Sequence, residues 1–339
     1  MLRAIGLIHV PELNKMSEPI LKIDDLHVRF RMDFGEVQAV RGVSFSIFKG
    51  EVYGMVGESG CGKSVISLSI LRMVPPPGEI TAGSIIFDGE EILGLSDTRM
   101  STIRGKRISM VFQDPTTSLN PVYTVGQQIF KVIHQHTDLN RAEANRRVLQ
   151  LLQDVDLPNP ERIVNVYPHQ LSGGMQQRVM ISIALAANPQ LLIADEPTTA
   201  LDVTIQAQIL DLLVHLQKER GITILFITHN LGVVAETCDR VGVLYAGKLV
   251  EEGTVNEFFN KPRHPYSHGL LAALPRLTEQ VQSLQTIPGN VPSGLEHIVG
   301  CSFAPRCPYV MDRCREEDPQ IKTISPGHRV ACFYVEVER

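Results

Sequence analysis

Val52-Tyr53-Gly54-Met55-Val56-Gly57-Glu58-Ser59-Gly60-Cys61-Gly62-Lys63-Ser64 is the stretch that decides the fold. A buried apolar run leads into a glycine-rich turn, and from Ser64 to Met73 the apolar Val65, Ile66, Leu68, Ile70 and Leu71 fit a buried helix. Strand, turn and helix in that order are the context that makes G-x-x-x-x-G-K-S a phosphate cradle. Gly57, Gly60 and Gly62 let successive N–H groups curl around a phosphate without Cβ clashes, with Ser59 and Cys61 completing the loop. The helix N-terminus adds partial positive charge, Lys63 reaches β and γ oxygens, and Ser64 Oγ is placed to ligate Mg²⁺. Cys61 sits where a thiol pKa falls, so its alkylation is expected to block ATP binding, although a small tolerated side chain with no reactive role is the favoured reading.

Outward from this loop, Leu191-Leu192-Ile193-Ala194 and Ile222 to Ile227 are continuous apolar runs of the kind that parallel sheets bury on both faces, with a helix between them over Thr204 to Glu219. Ile20 to Phe30 and Val43 to Ile47 alternate as half-buried strands. Between Thr124 and about Asn188 the pattern is helical, best over Gln127 to Gln135, Arg141 to Val155 and Gly174 to Ala187. The layout is α/β.

The first run ends in Asp195-Glu196: Asp195 is read as the metal-side acid and Glu196 as the general base facing a water in line with the γ-phosphate. Thr228-His229 follows the second run, placing an imidazole at the same sheet edge to hold that water. Leu171-Ser172-Gly173-Gly174-Met175-Gln176-Gln177 is a second glycine turn opening a helix, hence a second anion site. One γ-phosphate does not need two cradles from one subunit. Two such chains facing head to tail, each lending its Ser-Gly-Gly turn to the ATP of the other, use both.

Thirty-two Lys plus Arg against thirty-seven Asp plus Glu give a net charge of -5 over 339 residues, with no long basic block, which argues against nucleic acid as the main partner. No run approaches about 18 apolar residues and the N-terminus lacks a signal pattern, so the chain is expected neither to span a membrane nor to be exported. Residues 1–17 read as a loosely held leader, and nine prolines past Gly253 place a boundary near 255 to 262. Cys301-x5-Cys307-x6-Cys314-x17-Cys332 supplies four thiolates, a full set for a metal site in a reducing compartment. The irregular spacing suits an iron-sulfur cluster better than zinc, and buried free thiols remain open. Either metal would staple a short, proline-rich segment expected to have little core of its own. His264-Pro265-Tyr266 is read as a turn that docks this tail on the nucleotide domain.

In order and spacing, Gly57 to Ser64, Gln113, Leu171 to Gln177, the 191 to 196 run, Ala200-Leu201-Asp202 and His229 resemble the ATP-binding subunits of ABC transporters over roughly residues 20 to 255. Tyr167-Pro168-His169-Gln170, Thr198 to Gln208 and His264-Pro265-Tyr266 resemble the oligopeptide/dipeptide importer branch of that family more closely, over residues 20 to 335. The resemblance implies a P-loop NTPase (RecA-like) parallel-sheet core within residues 18–255, with an antiparallel β-subdomain and an inserted helical subdomain at about 115–188. It adds a C-terminal domain over 256–339 whose four cysteines carry a 4Fe-4S cluster. It also implies that Gln113 senses Mg²⁺ and γ-phosphate, that Ser172, Gly173, Gly174, Gln176 and Asp202 act across a dimer, and that Phe30 stacks on adenine. Met175 stands where the family most often has Gln; since the contacts there come from Ser172 and glycine backbone, this changes little. Implied partners are a second ATPase subunit, two transmembrane permease subunits and, indirectly, an extracytoplasmic solute-binding protein, with this chain peripheral at the cytoplasmic face of the cell membrane. The implied activity is ATP-driven import of short peptides; import of nickel, glutathione or another solute, or a soluble ABC ATPase that transports nothing, are the alternatives.

Overall fold

The computed structural model describes residues 18–199, 201–274, 286–292, 294–295 and 298–337; the expected leader 1–17, Ala200 and Pro275 lie outside the described residues. In chain order the strands are β1 (Pro19–Met32), β2 (Gly35–Phe48), β3 (Val52–Val56), β4 (Gly78–Phe87), β5 (Glu90–Glu91), β6 (Ile108–Val111), β7 (Leu191–Asp195), β8 (Thr223–Ile227), β9 (Arg240–Tyr245), β10 (Lys248–Thr254), β11 (Lys322–Ser325) and β12 (His328–Val330). They form two sheets. One is antiparallel, ordered β2-β1-β4-β5; the other is ordered β11-β12-β10-β9-β3-β8-β7-β6. Within the second, β6, β7, β8, β3 and β9 run parallel, and β10, β12 and β11 continue antiparallel from β9.

Every residue of β3, β7 and β8 is buried, because helices or the second sheet cover both faces. The two-residue period sorts their side chains. Leu192, Ala194, Ile224 and Phe226 join a core with the helices Val125–His136, Arg141–Asp154, Gly173–Leu185 and Val203–Arg220. Leu191, Ile193, Leu225 and Ile227 join the opposite core with the helix Lys63–Ile70 and the apolar face of the antiparallel sheet. The alternation read in β1 breaks between Ile23 and Leu26, where the pairing register shifts and Asp25 has φ +47°. A bulge there returns Leu26 to the buried face.

Local signals mark the helix starts. Thr124 with Gln127 and Asn140 with Glu143 form reciprocal capping boxes, while Ser172 and Asp202 each cap a helix by accepting a backbone N–H from Met175 and Ile205.

The segment beyond Gly253 has more core than its prolines suggest. Phe258, Tyr266 and Phe303, far apart in sequence, pack with Val56, Val241, Val243 and Tyr245 of the parallel sheet. Charges are buried at the same junction: Arg240 bridges Glu51 and Glu252, Arg329 pairs with Glu252, and His328 Nε2 lies 2.8 Å from Glu251 Oε1. Glu251 also accepts the N–H groups of Arg263 and His264. Among the described residues no helix is long and apolar enough to cross a membrane.

Candidate functional site

The carboxyl ends of β3, β6, β7 and β8 lie along one edge of the parallel sheet, where Gly57 to Ser64, Gln113, Asp195-Glu196 and Thr228-His229 follow them. Two glycines of the loop are fixed by contact. A Cβ on Gly57 would lie 2.2 Å from Leu244 O, and one on Gly62 would lie 2.5 Å from Ala39 O; their φ angles are +154° and +106°. Gly62 caps the helix Lys63–Ile70 in a left-handed conformation with no side-chain bond to the first turn, which leaves those N–H groups for an anion. Lys63 is buried, and its ammonium donates to Gly57 O at 2.8 Å and Glu58 O at 3.0 Å, so the loop carbonyls hold the cation at the mouth of the cradle.

Cys61 is fully buried, and burial raises its thiol pKa despite the neighbouring Lys63. This corrects the expectation of a lowered pKa: the desolvation of a thiolate outweighs the helix N-terminus and the lysine. Ser59 and Gly60 are exposed at the loop tip. Phe30 pairs with Val37, two residues from the Ala39 carbonyl that meets Gly62, and its half-buried ring lies against Gly78.

Ser64 Oγ donates to Asp195 Oδ1 at 3.2 Å. Burial holds the Asp195 carboxyl above its ordinary pKa, with the Ser64 hydrogen bond opposing. A desolvated carboxyl beside a hydroxyl is a donor set that a divalent cation would satisfy. Glu196, one residue on, has φ +47°, a left-handed conformation that turns its side chain out of the strand direction. Its carboxylate gathers three groups: Gln113 Nε2 donates to Oε2 at 3.1 Å, Thr199 Oγ1 donates to the same oxygen at 2.9 Å, and His229 Nδ1 is 3.1 Å from Oε1. Burial presses the Glu196 pKa upward, but the His229 and Thr199 hydrogen bonds outweigh it and leave the carboxyl below its ordinary range. Thr199 was not among the residues the sequence singled out; the signal was a hydroxyl three residues after a strand-end carboxylate, able to bond back to it.

Ser172, Gly173, Gly174 and Asp202 gather at a different place. A Cβ on Gly174 would lie 2.7 Å from Ile205 Cγ2, and Gly173 lies against Leu201, so the two helix starts pack together. Among the described residues this turn makes no hydrogen bond to the Gly57–Ser64 loop. Gln176 departs from the role given it: it is buried, and its Nε2 donates to Pro168 O at 2.9 Å and Leu171 O at 3.3 Å. An amide used up on its own backbone shapes the turn and does not face outward.

Cys301, Cys307, Cys314 and Cys332 line one small apolar pocket with Phe303 and Phe333. Burial raises the thiol pKa of Cys301 and Cys307 and pushes Cys332 up to about 11, the nearby thiols adding repulsion. Four sulfurs around one pocket are the donor set that a thiophilic metal would take in place of the thiol protons. Their placement is not that of a formed site, since among the described residues no group of three or more His, Cys, Asp or Glu is arranged to hold a metal ion. His264 and Tyr266 are buried, with the Tyr266 hydroxyl accepting the Glu58 N–H at 3.0 Å, so this turn packs the tail on the loop itself.

Residues 40–199 match the family described as ABC transporter, and residues 250–314 match the oligopeptide/dipeptide transporter C-terminal region. The chain is 51% identical to the oligopeptide transport ATP-binding protein OppD of Bacillus subtilis, covering 92% of this chain and 87% of that protein. It is 46% identical to the dipeptide transport ATP-binding protein DppD of Escherichia coli, covering 93% and 96%. Its fold superposes on the dimeric structure of the bacterial ABC transporter cassette MJ0796 with a TM-score of 0.63 and 31% identity, covering 69% of this chain and 98% of that one.

Proposed function

This chain belongs to the ABC transporter family, in its oligopeptide/dipeptide branch, and from that membership we propose that it is the ATP-hydrolysing subunit that powers import of short peptides across the cytoplasmic membrane. The observation that carries the reading is the convergence on Glu196. Gln113, Thr199 and His229 hold its carboxylate one residue past the Asp195 carboxyl that Ser64 contacts. Held ionised by those partners, Glu196 polarises a water toward the γ-phosphate, and His229 orients it. The free N–H groups of the loop and Lys63 bind the phosphates. Mg²⁺, which Ser64 would hold with Asp195 and Gln113 nearby, neutralises charge on the β and γ oxygens when bound.

Ser172 and the Gly173-Gly174 backbone, apart from the P-loop of their own chain, serve the nucleotide of a second ATPase subunit, with Asp202 beside them. ATP thereby joins two subunits, and hydrolysis releases them to drive two permease subunits served by a solute-binding protein. Four thiols around one pocket support a 4Fe-4S cluster that cross-links the tail, with zinc or metal-free buried thiols as the alternatives; iron and zinc analysis of anaerobically purified protein decides among them.

The test of the mechanism is Glu196→Gln in the complex with the partner ATPase and membrane subunits. Phosphate release should fall by about 10² to 10⁴, the usual range for a general base, while ATP stays bound and the paired state accumulates. Hydrolysis at the wild-type rate would remove Glu196 from its role. ATP-dependent uptake of labelled di- or oligopeptides into vesicles, against nickel or glutathione, tests the cargo.

A further inference from the structure

The P-loop of this protein is held from two sides. On the inner side Lys63 bonds the carbonyls of Gly57 and Glu58. On the other side stand two residues of the C-terminal segment. Tyr266 accepts the Glu58 N–H at 3.0 Å, and Arg306 Nη1 lies 3.1 Å from both Glu58 carboxylate oxygens. Neither is a loose surface contact. Tyr266 is 0% exposed and Arg306 9%. Arg306 is further fixed by Tyr245 Oη at 3.3 Å and by the carbonyls of Pro288 and Ile287. The ring of Tyr266 is wedged against Tyr245 and Phe303, with centroids 4.6 and 5.5 Å away. A chain end more than two hundred residues distant therefore grips the second residue of the phosphate loop.

We propose that Tyr266 and Arg306 are positioning residues of the nucleotide site, holding Glu58 so that the P-loop keeps the shape in which its N–H groups and Lys63 receive phosphate. The inference rests on the reading of Gly57 to Ser64 as the ATP site. Physically, a loop whose backbone is already ordered loses less entropy when it wraps a ligand, so releasing the brace weakens binding before it touches the chemical step. Arg306 suits the task because Nε and Nη2 are fixed by the Pro288 and Ile287 carbonyls, so that Nη1 meets both Glu58 carboxylate oxygens from a preset position as a charge-assisted contact.

The experiment measures fluorescent ATP-analogue affinity on the full chain, and KM and kcat in the assembled transporter, for Tyr266→Phe, Arg306→Met, Glu58→Gln and the double variant Glu58→Gln/Arg306→Met. Each single change should weaken nucleotide affinity and raise KM by about tenfold, the scale of one lost buried hydrogen bond. At saturating ATP, kcat should stay within about threefold, the split expected when binding and not chemistry is lost. The double variant should be no worse than Arg306→Met alone, because the two act as one contact. A purely structural role would lower Tm without that split or that coupling. Wild-type affinity in both Tyr266→Phe and Arg306→Met, or additive losses in the double variant, overturns the proposal. Should Arg306→Met fail to fold, Tyr266→Phe and Glu58→Gln decide by the same criteria. Lys63→Ala separates the two readings: if it binds nucleotide like wild type, the ATP-site reading fails, whereas if it loses binding and the brace variants do not, only the brace fails.

Discussion

Gly57 and Gly60 share one loop and both have positive φ, +154° and +79°, yet their surroundings differ. A methyl on Gly57 would strike the Leu244 carbonyl, part of the neighbouring strand, while one on Gly60 meets nothing within 4 Å. Gly60→Ala should therefore show, in the melt of the nucleotide-free chain, mainly the backbone cost of a left-handed residue, about 1–2 kcal/mol. Gly57→Ala should abolish binding and lower stability further, as measured by thermal melts and nucleotide titration. Cys61 makes a second contrast at this scale. Since it is fully buried with a raised pKa, iodoacetamide should leave it unmodified in the folded chain over a period that fully alkylates the denatured chain, as read by peptide mass mapping. Equal rates in the two states would mean the loop opens far more readily than its packing suggests.

The helix Pro265–Ala272 is capped by the side chain of His264, which accepts the Tyr266 N–H at 3.0 Å and so must be neutral at Nδ1. Burial lowers the His264 pKa from 6.5 to about 4. The unfolded chain therefore takes up a proton that the folded chain refuses, and stability present above pH 6.5 is lost as pH falls from 6.5 toward 4. The slope from this one group is at most about 1.4 kcal/mol per pH unit. His264→Asn keeps a capping oxygen and removes the titration, so its Tm should vary less with pH across that window. Glu251 acts lower. Burial raises its pKa, yet the bonds from His328 and its other partners hold it below 4.5, so its contribution fades as pH falls beneath that value. A melt series that is flat from pH 6.5 to 4 in the wild type would contradict the assignment.

Across the whole molecule, the parallel sheet does not end where the prolines begin. β10 pairs with β12 through Glu251 and Glu252, and those two carboxylates meet His328 and Arg329. Ending the chain at residue 297 would remove both partners, strip β10 of β12 and take away Arg306, one of the two residues that hold Glu58. Breaking buried ion pairs from one side costs about 3–5 kcal/mol. The truncated chain should melt far below the full chain or fail to stay soluble, and the full chain should unfold without an early separate transition of its tail, as followed by calorimetry. A truncated form of undiminished stability would show that the tail is an accessory.

The order of the candidate nucleotide site along the sheet edge was legible in the sequence because each piece of it is local. Gly57 to Ser64 needs only its own strand and helix to be recognised, and Asp195-Glu196 and His229 each close an apolar run whose end is visible in the sequence. The helices of the 125–185 block were legible for the same reason, in their caps and their 3.6-residue period. What tertiary structure alone decided is where side chains turn once distant segments meet. The bond from Gln113 to Glu196, the burial that raises the Cys61 pKa and the grip of Tyr266 and Arg306 on Glu58 all need segments that lie far apart in the chain, whereas the bonds of Gln176 to Pro168 and Leu171 and of Thr199 to Glu196 are local and set by how each turn closes. Periodicity reports which face of an element is buried. It carries no term for which partner a particular donor or charge finds there, because that depends on three-dimensional distance and local desolvation.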